Sequence, residues 1–143
     1  MDLYAGSGAV GLEALSRAAA HVDFVERAEP ALRVLHANVA RLGLTAGFRI
    51  HGAGVGSVLR KMKPGTKFDL VFLDPPFAAS SDGGELAAAV SALAGWLTRD
   101  ARIYVEHAKS DPPLALGDAW RELRTGTAGE VRYHLLAAAG AGG

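Results

Sequence analysis

The sequence predicts an α/β fold: a mostly parallel sheet with helices on both faces and a C-terminal antiparallel hairpin. Three observations predict it. Short apolar runs alternate with segments of helical period along most of the chain, as strand–helix–strand units do. A glycine turn, Gly6-Ser7-Gly8-Ala9-Val10-Gly11, separates the first apolar run from the first helical stretch. A later run, Phe68-Asp69-Leu70-Val71-Phe72-Leu73, stops at Asp74-Pro75-Pro76-Phe77, a carboxylate followed by two residues that cannot donate a backbone hydrogen bond.

The elements follow in order. Asp2-Leu3-Tyr4 is a short first strand, and a helix runs from about Ala9 to Ala19. His21 to Val25 is a second strand ending at Glu26. Pro30 sits well in a helical first turn, Leu32, Leu35, Val39 and Leu42 recur at helical spacing, and Gly43 ends that helix. Phe48 to His51 is a third strand, and Ser57 to Lys61 a turn or two of helix. After the strand at Phe68–Asp74, Ala78 to Gly84 is a flexible loop. Leu86, Val90, Leu93 and Leu97 mark another amphipathic helix, and Arg102 to Glu106 a fifth strand. Trp120 to Arg124 and Val131 to Leu136 form the hairpin, with its turn around Gly126 to Gly129. Residues 1–136 make one domain, and the Ala/Gly tail 137–143 is expected to be disordered.

Composition narrows the class. At 143 residues, with 50% hydrophobic and 21% charged side chains, the chain can bury one ordinary core. No apolar run approaches the roughly 18 residues of a membrane span, and no signal segment opens the chain, so a cytoplasmic protein without a membrane partner is expected. The absence of cysteine excludes disulfides and thiolate metal sites. His21, His36, His51 and His134 show no metal-ligand spacing, and no metal is expected. His107 reads as a strand-end histidine in preference to one facing the site, and Trp96 and Trp120 as core or rim aromatics.

The chemistry sits at strand ends. The carboxylate of Asp74 and the rigid carbonyl of Pro75 can take the two protons of an exocyclic –NH2, while Phe77 stacks on the plane that bears it. Glycines at 6, 8 and 11 allow a ligand to approach backbone N–H groups at a helix N-terminus. Glu26, at the end of the next strand, can bind both hydroxyls of a ribose. Those glycines also satisfy the dinucleotide fingerprint G-x-G-x-x-G. Asp2, just ahead of them, argues against a pyrophosphate and for a ligand with a cation there, such as the ammonium of S-adenosylmethionine (SAM). In a parallel sheet these strand ends are expected to meet in one crevice.

The stretches Asp2 to Gly11, Val25-Glu26 and Asp74 to Phe77 resemble the motifs of class I SAM-dependent methyltransferases that act on exocyclic amines. Gly11 to Arg17, Asn38 to Leu44 and Val105-Glu106-His107 narrow the resemblance to the bacterial 16S rRNA guanine-N2 methyltransferase (RsmD-type) family, from Met1 to about Leu136. The resemblance implies a Rossmann-like domain that uses SAM. It implies cofactor contacts at Asp2, Tyr4, Ala5, Gly6, Ser7, Gly8, Glu26, Arg27, Ala53 and Asp74, and target contacts at Asp74, Pro75, Pro76 and Phe77. Adenine would be held by backbone groups and packing around Gly52-Ala53-Gly54. The implied substrate is 16S rRNA or the small ribosomal subunit, and the implied state a monomer. Another planar amine or amide (DNA adenine, protein glutamine) and a non-catalytic SAM-binding domain stay open.

Departures accompany the resemblance: the first strand is reduced to Asp2-Leu3-Tyr4, and Gly52-Ala53-Gly54-Val55 stands where class I enzymes often carry a polar or acidic residue after the third strand. The basic segment and helix that family members carry ahead of the first motif are expected to be missing. Lys+Arg 15 against Asp+Glu 15 leaves no surplus for RNA, and the cluster Arg60 to Lys67 reads first as a solvated loop.

Overall fold

The computed structural model describes residues 1–76 and 84–140. The chain divides into two compact units, Met1–Lys61 and Met62–Gly143.

The first unit is a strand–helix repeat. Strands β1 (Asp2–Leu3), β2 (Val22–Val25) and β3 (Phe48–His51) pair in parallel in the order β3-β2-β1. Between them run α1 (Ala9–Ser16) and α2 (Glu29–Arg41), and α3 (Val55–Lys61) follows β3. All four residues of β2 are buried, as a strand covered on both faces requires. Val22, Phe24, Leu35 and Val39 form its core, with Leu12, Leu15, Phe48 and Ile50 packed around them.

Helix ends account for the differences from the sequence reading here. Helix α1 stops at Ser16, short of the expected Ala19. Ala18 adopts φ 68°, and the Ala19 N–H returns to the Ala14 carbonyl at 3.0 Å, a left-handed stop made without glycine. Gly43 at φ 66° closes α2 in the expected way, with the Leu44 N–H on the Val39 carbonyl. Leu42 caps that helix and is 59% exposed, so it does not extend the buried stripe of Leu32, Leu35 and Val39.

In the second unit, β4 (Phe68–Leu73) pairs in parallel with β5 (Leu97–Ala108). An antiparallel pair, β6 (Trp120–Ala128) and β7 (Val131–Ala138), adds to β5 through β7. Helix α4 (Gly84–Ala92) leads into a 3-10 turn, Leu93–Trp96. Val71, Leu73, Val90, Leu93, Ile103, Val105 and Leu136 are its deeply buried apolar residues.

Three expectations are corrected in this unit. Leu97 is extended (φ −108°, ψ 146°) and opens β5, because the chain tightens through Gly95 and leaves the helix. The hairpin turn is the two-residue Gly129-Glu130, since Ala128 pairs with Val131, and Gly129 supplies φ 57°. Gly126 lies inside β6, where the Tyr133 ring fills the space a Cβ would take. Ala137 and Ala138 belong to β7, opposite Arg121 and Trp120, so order extends past the predicted start of the tail. The loop expected from Ala78 lies mostly outside the described residues.

Candidate active site

The glycine turn of the first unit is built from left-handed residues. Tyr4 (φ 61°), Gly6 (φ 56°) and Gly8 (φ 82°) reverse the chain between β1 and α1. The Ala5 N–H binds the Val25 carbonyl at 2.9 Å, and the Gly8 N–H binds that of Ala5 at 2.8 Å. Holding a non-glycine residue such as Tyr4 in this region costs roughly 1–2 kcal/mol. Such strain gathers at ligand clamps.

Glu26 ties this turn to its surroundings. Its Oε2 accepts the Gly6 N–H at 2.9 Å, and its Oε1 accepts the N–H of Ala28, the residue that starts α2, at 2.8 Å. An ionised carboxylate has about four lone-pair directions, so each oxygen can accept one further hydroxyl. A Cβ at Gly6 would meet nothing within 4 Å, which leaves that side of the turn open beside the carboxylate.

Asp2 is buried, at 4% exposure, and its Oδ2 accepts the Gly11 N–H at 2.9 Å. Gly8 caps α1 without a side chain, so Asp2 supplies from β1 the carboxylate that a helix N-terminus favours. One of its oxygens is thereby committed to the fold. Ser7 is exposed, and its carbonyl accepts Asn38 Nδ2 at 2.9 Å. Asn38 is thus a support for the turn that its own motif does not announce; an amide beside the buried stripe of α2 is the available signal. Arg27 is exposed after Glu26, and Ala53 is half-buried in the bend after β3. Buried Asp23 meets His51 Nε2 at 2.6 Å and His21 Nε2 at 3.3 Å.

In the second unit, Asp74 and Pro76 are exposed and Pro75 is buried directly after β4. Phe77 lies outside the described residues. Loss of hydration, and then the negative charge of Glu106, hold the Asp74 carboxyl above the usual range. The register pairs Leu73 with Val105, so the next residues, Asp74 and Glu106, run side by side. Tyr104 donates its hydroxyl to Glu106 Oε1 at 2.7 Å. Burial, and then that bond, push the Tyr104 phenol up. The Tyr104 ring meets Phe72 edge-on (6.3 Å, 63°) and stacks with Tyr133 (6.1 Å, 20°), forming an aromatic layer on the Glu106 face.

His107 points away from that face. It is buried, with Nε2 3.0 Å from Nε2 of His134, whose Nδ1 lies 2.5 Å from Glu122 Oε2. The two rings are parallel within 5° at 5.2 Å. Histidines that look scattered in the sequence are therefore brought together by the β5–β7 pairing. Among the described residues no group of three or more His, Asp or Glu is arranged to hold a metal, and no helix is long and apolar enough to cross a membrane.

These are the parts of a class I methyltransferase. The solved structure of Escherichia coli yhhF, described by its name as a methyltransferase, matches at TM-score 0.79 and 35% identity over 96% of this chain and 74% of its own. The fold is accordingly α/β, Rossmann-like and of class I methyltransferase type, mostly parallel with a C-terminal antiparallel hairpin. The chain belongs to the family described as conserved hypothetical protein 95, the RsmD family, whose family model matches residues 1–137. Its relatives include proteins named ribosomal RNA small subunit methyltransferase D. That of Haemophilus influenzae is 35% identical over 94% of this chain and 69% of its own length. That of Escherichia coli is 36% identical over 94% and 66%. The chain thus spans about two thirds of the length of these relatives.

Proposed function

We propose that this chain is the SAM-dependent domain of an N-methyltransferase that acts on the exocyclic N2 amine of a guanine in 16S rRNA. The names of its relatives support ribosomal RNA as the substrate. The observation that carries the chemistry is Asp74, exposed at the end of a parallel strand and followed by buried Pro75. A carboxylate beside a carbonyl that is fixed by the next proline is an acceptor pair suited to –NH2.

The residues fit SAM. Glu26, already oriented by two backbone N–H groups, takes the ribose hydroxyls, and the open side of Gly6 lets the ligand lie against the turn. Ala53 and its glycine neighbours provide backbone for adenine. Tyr4, Ala5, Ser7, Gly8 and Arg27 border the same turn, and Asp2 lies just ahead of it, where its negative charge suits the ammonium of the amino-acid end.

SAM, when bound, supplies a methyl carbon made electrophilic by its sulfonium. The guanine N2 lone pair is delocalised into the ring and attacks poorly. Asp74 and the Pro75 carbonyl, by accepting the two N2 protons, localise that lone pair and orient it. Asp74 also stabilises the positive charge that grows on nitrogen as the N–C bond forms and the methyl–sulfur bond breaks; the thioether S-adenosylhomocysteine would leave, and one N2 proton would pass to the Asp74 carboxylate. Phe77 and Pro76 hold the base plane, and the base must be unstacked to enter.

Calorimetry with S-adenosylhomocysteine and with NAD, followed by transfer of labelled methyl to small-subunit rRNA and nucleoside digestion, tests the reading. Binding of S-adenosylhomocysteine but not NAD, and label in N2-methylguanosine, is the expected result. Tighter binding of NAD would overturn it.

A further inference from the structure

The geometry points to Glu106 as the residue that selects guanine, by accepting its N1–H while Asp74 and Pro75 take the N2 amine. This rests on the methyltransferase reading above and adds the determinant of base identity.

Glu106 follows Val105, which pairs with Leu73, so its backbone runs beside that of Asp74 on the neighbouring parallel strand. The two carboxylates are close enough that the charge of Glu106 adds to the loss of hydration in raising the Asp74 carboxyl above its ordinary range. Like charges side by side on neighbouring strands are destabilising. A fold that merely needed a polar strand end would be better served by almost any other residue. Local rules broken in this way are expected at functional sites.

Glu106 is also held in place. Its Oε1 receives the Tyr104 hydroxyl at 2.7 Å, and Tyr104 is itself set by Phe72 and Tyr133. On the other side, Glu106 pairs with Tyr133 of β7, whose ring leans over Gly126. The carboxylate, whose Oε1 receives the Tyr104 hydroxyl proton, keeps lone-pair directions for a ligand.

Two adjacent acceptor-only groups ask for a ligand edge with adjacent donors. Guanine presents N1–H next to N2–H2. Adenine and cytosine place an unprotonated ring nitrogen beside their amine, and a carboxylate would repel it. A glutamine amide has no second N–H at that position. Of the planar amines that suit Asp74 and Pro75, guanine alone among these also satisfies Glu106.

The test uses the whole chain saturated with S-adenosylhomocysteine and follows amide NMR shifts. The titrants are guanosine 5′-monophosphate and the 5′-monophosphate of 2-aminopurine riboside, which keeps the 2-amine but has an acceptor at N1. A site built to bond an N–H rejects an analogue lacking it strongly. The native chain should prefer the guanine nucleotide by at least about tenfold, with shifts at 72–76 and 104–106. Glu106→Gln, whose amide can donate or accept, should reduce that preference at least about fivefold without changing S-adenosylhomocysteine affinity. Tyr104→Phe should move it the same way by less. Equal binding of both nucleotides by the native chain, or an unchanged preference in Glu106→Gln, overturns the inference while leaving the methyltransferase reading intact. Failure of S-adenosylhomocysteine itself to bind removes that reading, and this inference with it.

Discussion

Gly6 and Gly11 are glycines for opposite reasons. A Cβ on Gly11 would lie 2.3 Å from Phe24 Cε1 and 3.0 Å from Asp2 Oδ2, so the site is closed by the core. At Gly6 nothing stands within 4 Å, and the constraint is φ 56° together with whatever ligand uses the space. Gly11→Ala should therefore cost roughly 1–3 kcal/mol of stability through overpacking, read as a lower urea midpoint. Gly6→Ala should cost roughly 1–2 kcal/mol for its backbone angle. Its affinity for S-adenosylhomocysteine should fall by more than its stability loss explains, and an unchanged affinity would remove Gly6 from the cofactor site. Asp74 makes a separate prediction. Asp74→Ala should lower methyl transfer by about 10²–10³, as loss of a preorganised charge-stabilising group does, with cofactor affinity kept within a few-fold. Because the folded carboxyl is raised above 3.8, the native state binds the proton more tightly than the unfolded chain. Ionising Asp74 thus lowers stability as pH rises from about the ordinary carboxylate value through the raised one, while transfer rises over the same window. Asp74→Asn should flatten both profiles, and an Asn variant that tracks the native stability curve would show the shift to be absent.

The antiparallel elements carry what the sequence hides. Gly43 could be read as a helix stop because glycine is the usual left-handed residue, whereas Ala18 makes the same stop with no signal in its side chain. The strand ends at Glu26 and Asp74 were legible, since an acid closing a buried run interrupts the pattern of its own strand. The burial of His107 was not legible, because which face it takes depends on β5 parity, and its partner depends on a hairpin register set by Gly129-Glu130. Once paired, one of the two facing Nε2 atoms must carry the hydrogen and the other accept it. Burial is what chiefly disfavours a proton on His107; the Ala108 carbonyl opposes it next, followed in turn by the disfavouring His134, the favouring Asp111 and the disfavouring Arg132, and Glu122 and Thr125 face the His134 side. A histidine whose folded pKa is depressed contributes stability above its unfolded value of 6.5 and loses it as pH falls through the folded one. The urea midpoint should then drop between pH 7.5 and 5.5, and less steeply in His107→Gln. A midpoint that holds or rises on acidification would count against the buried pair.

For the chain as a whole, charge is the quantity that bears on RNA. Lys+Arg 15 and Asp+Glu 15 cancel. The densest basic run, Arg60 to Lys67, is partly committed, since Arg60 and Lys61 end α3 and Lys67 Nζ bonds the Gly95 carbonyl at 2.7 Å. Phosphate neutralisation supplies most non-specific affinity for nucleic acid, and each contact on a single strand adds about 0.7 to the slope of log affinity against log salt. A chain with no net charge should make few such contacts, so its affinity for a small-subunit rRNA fragment should be weak and nearly flat in salt. S-adenosylhomocysteine binding, proposed to rest on Glu26 and the glycine turn, should remain measurable in the same buffer. Fusing a segment of six lysines ahead of Met1 should raise RNA affinity and steepen the slope by up to about 4, with methyl transfer rising in parallel. Filter binding across 50–200 mM salt, on the chain with and without that segment, distinguishes the cases. If the unmodified chain bound the fragment tightly with a steep slope, its own surface would have to hold a basic face that its composition and ion pairs do not account for.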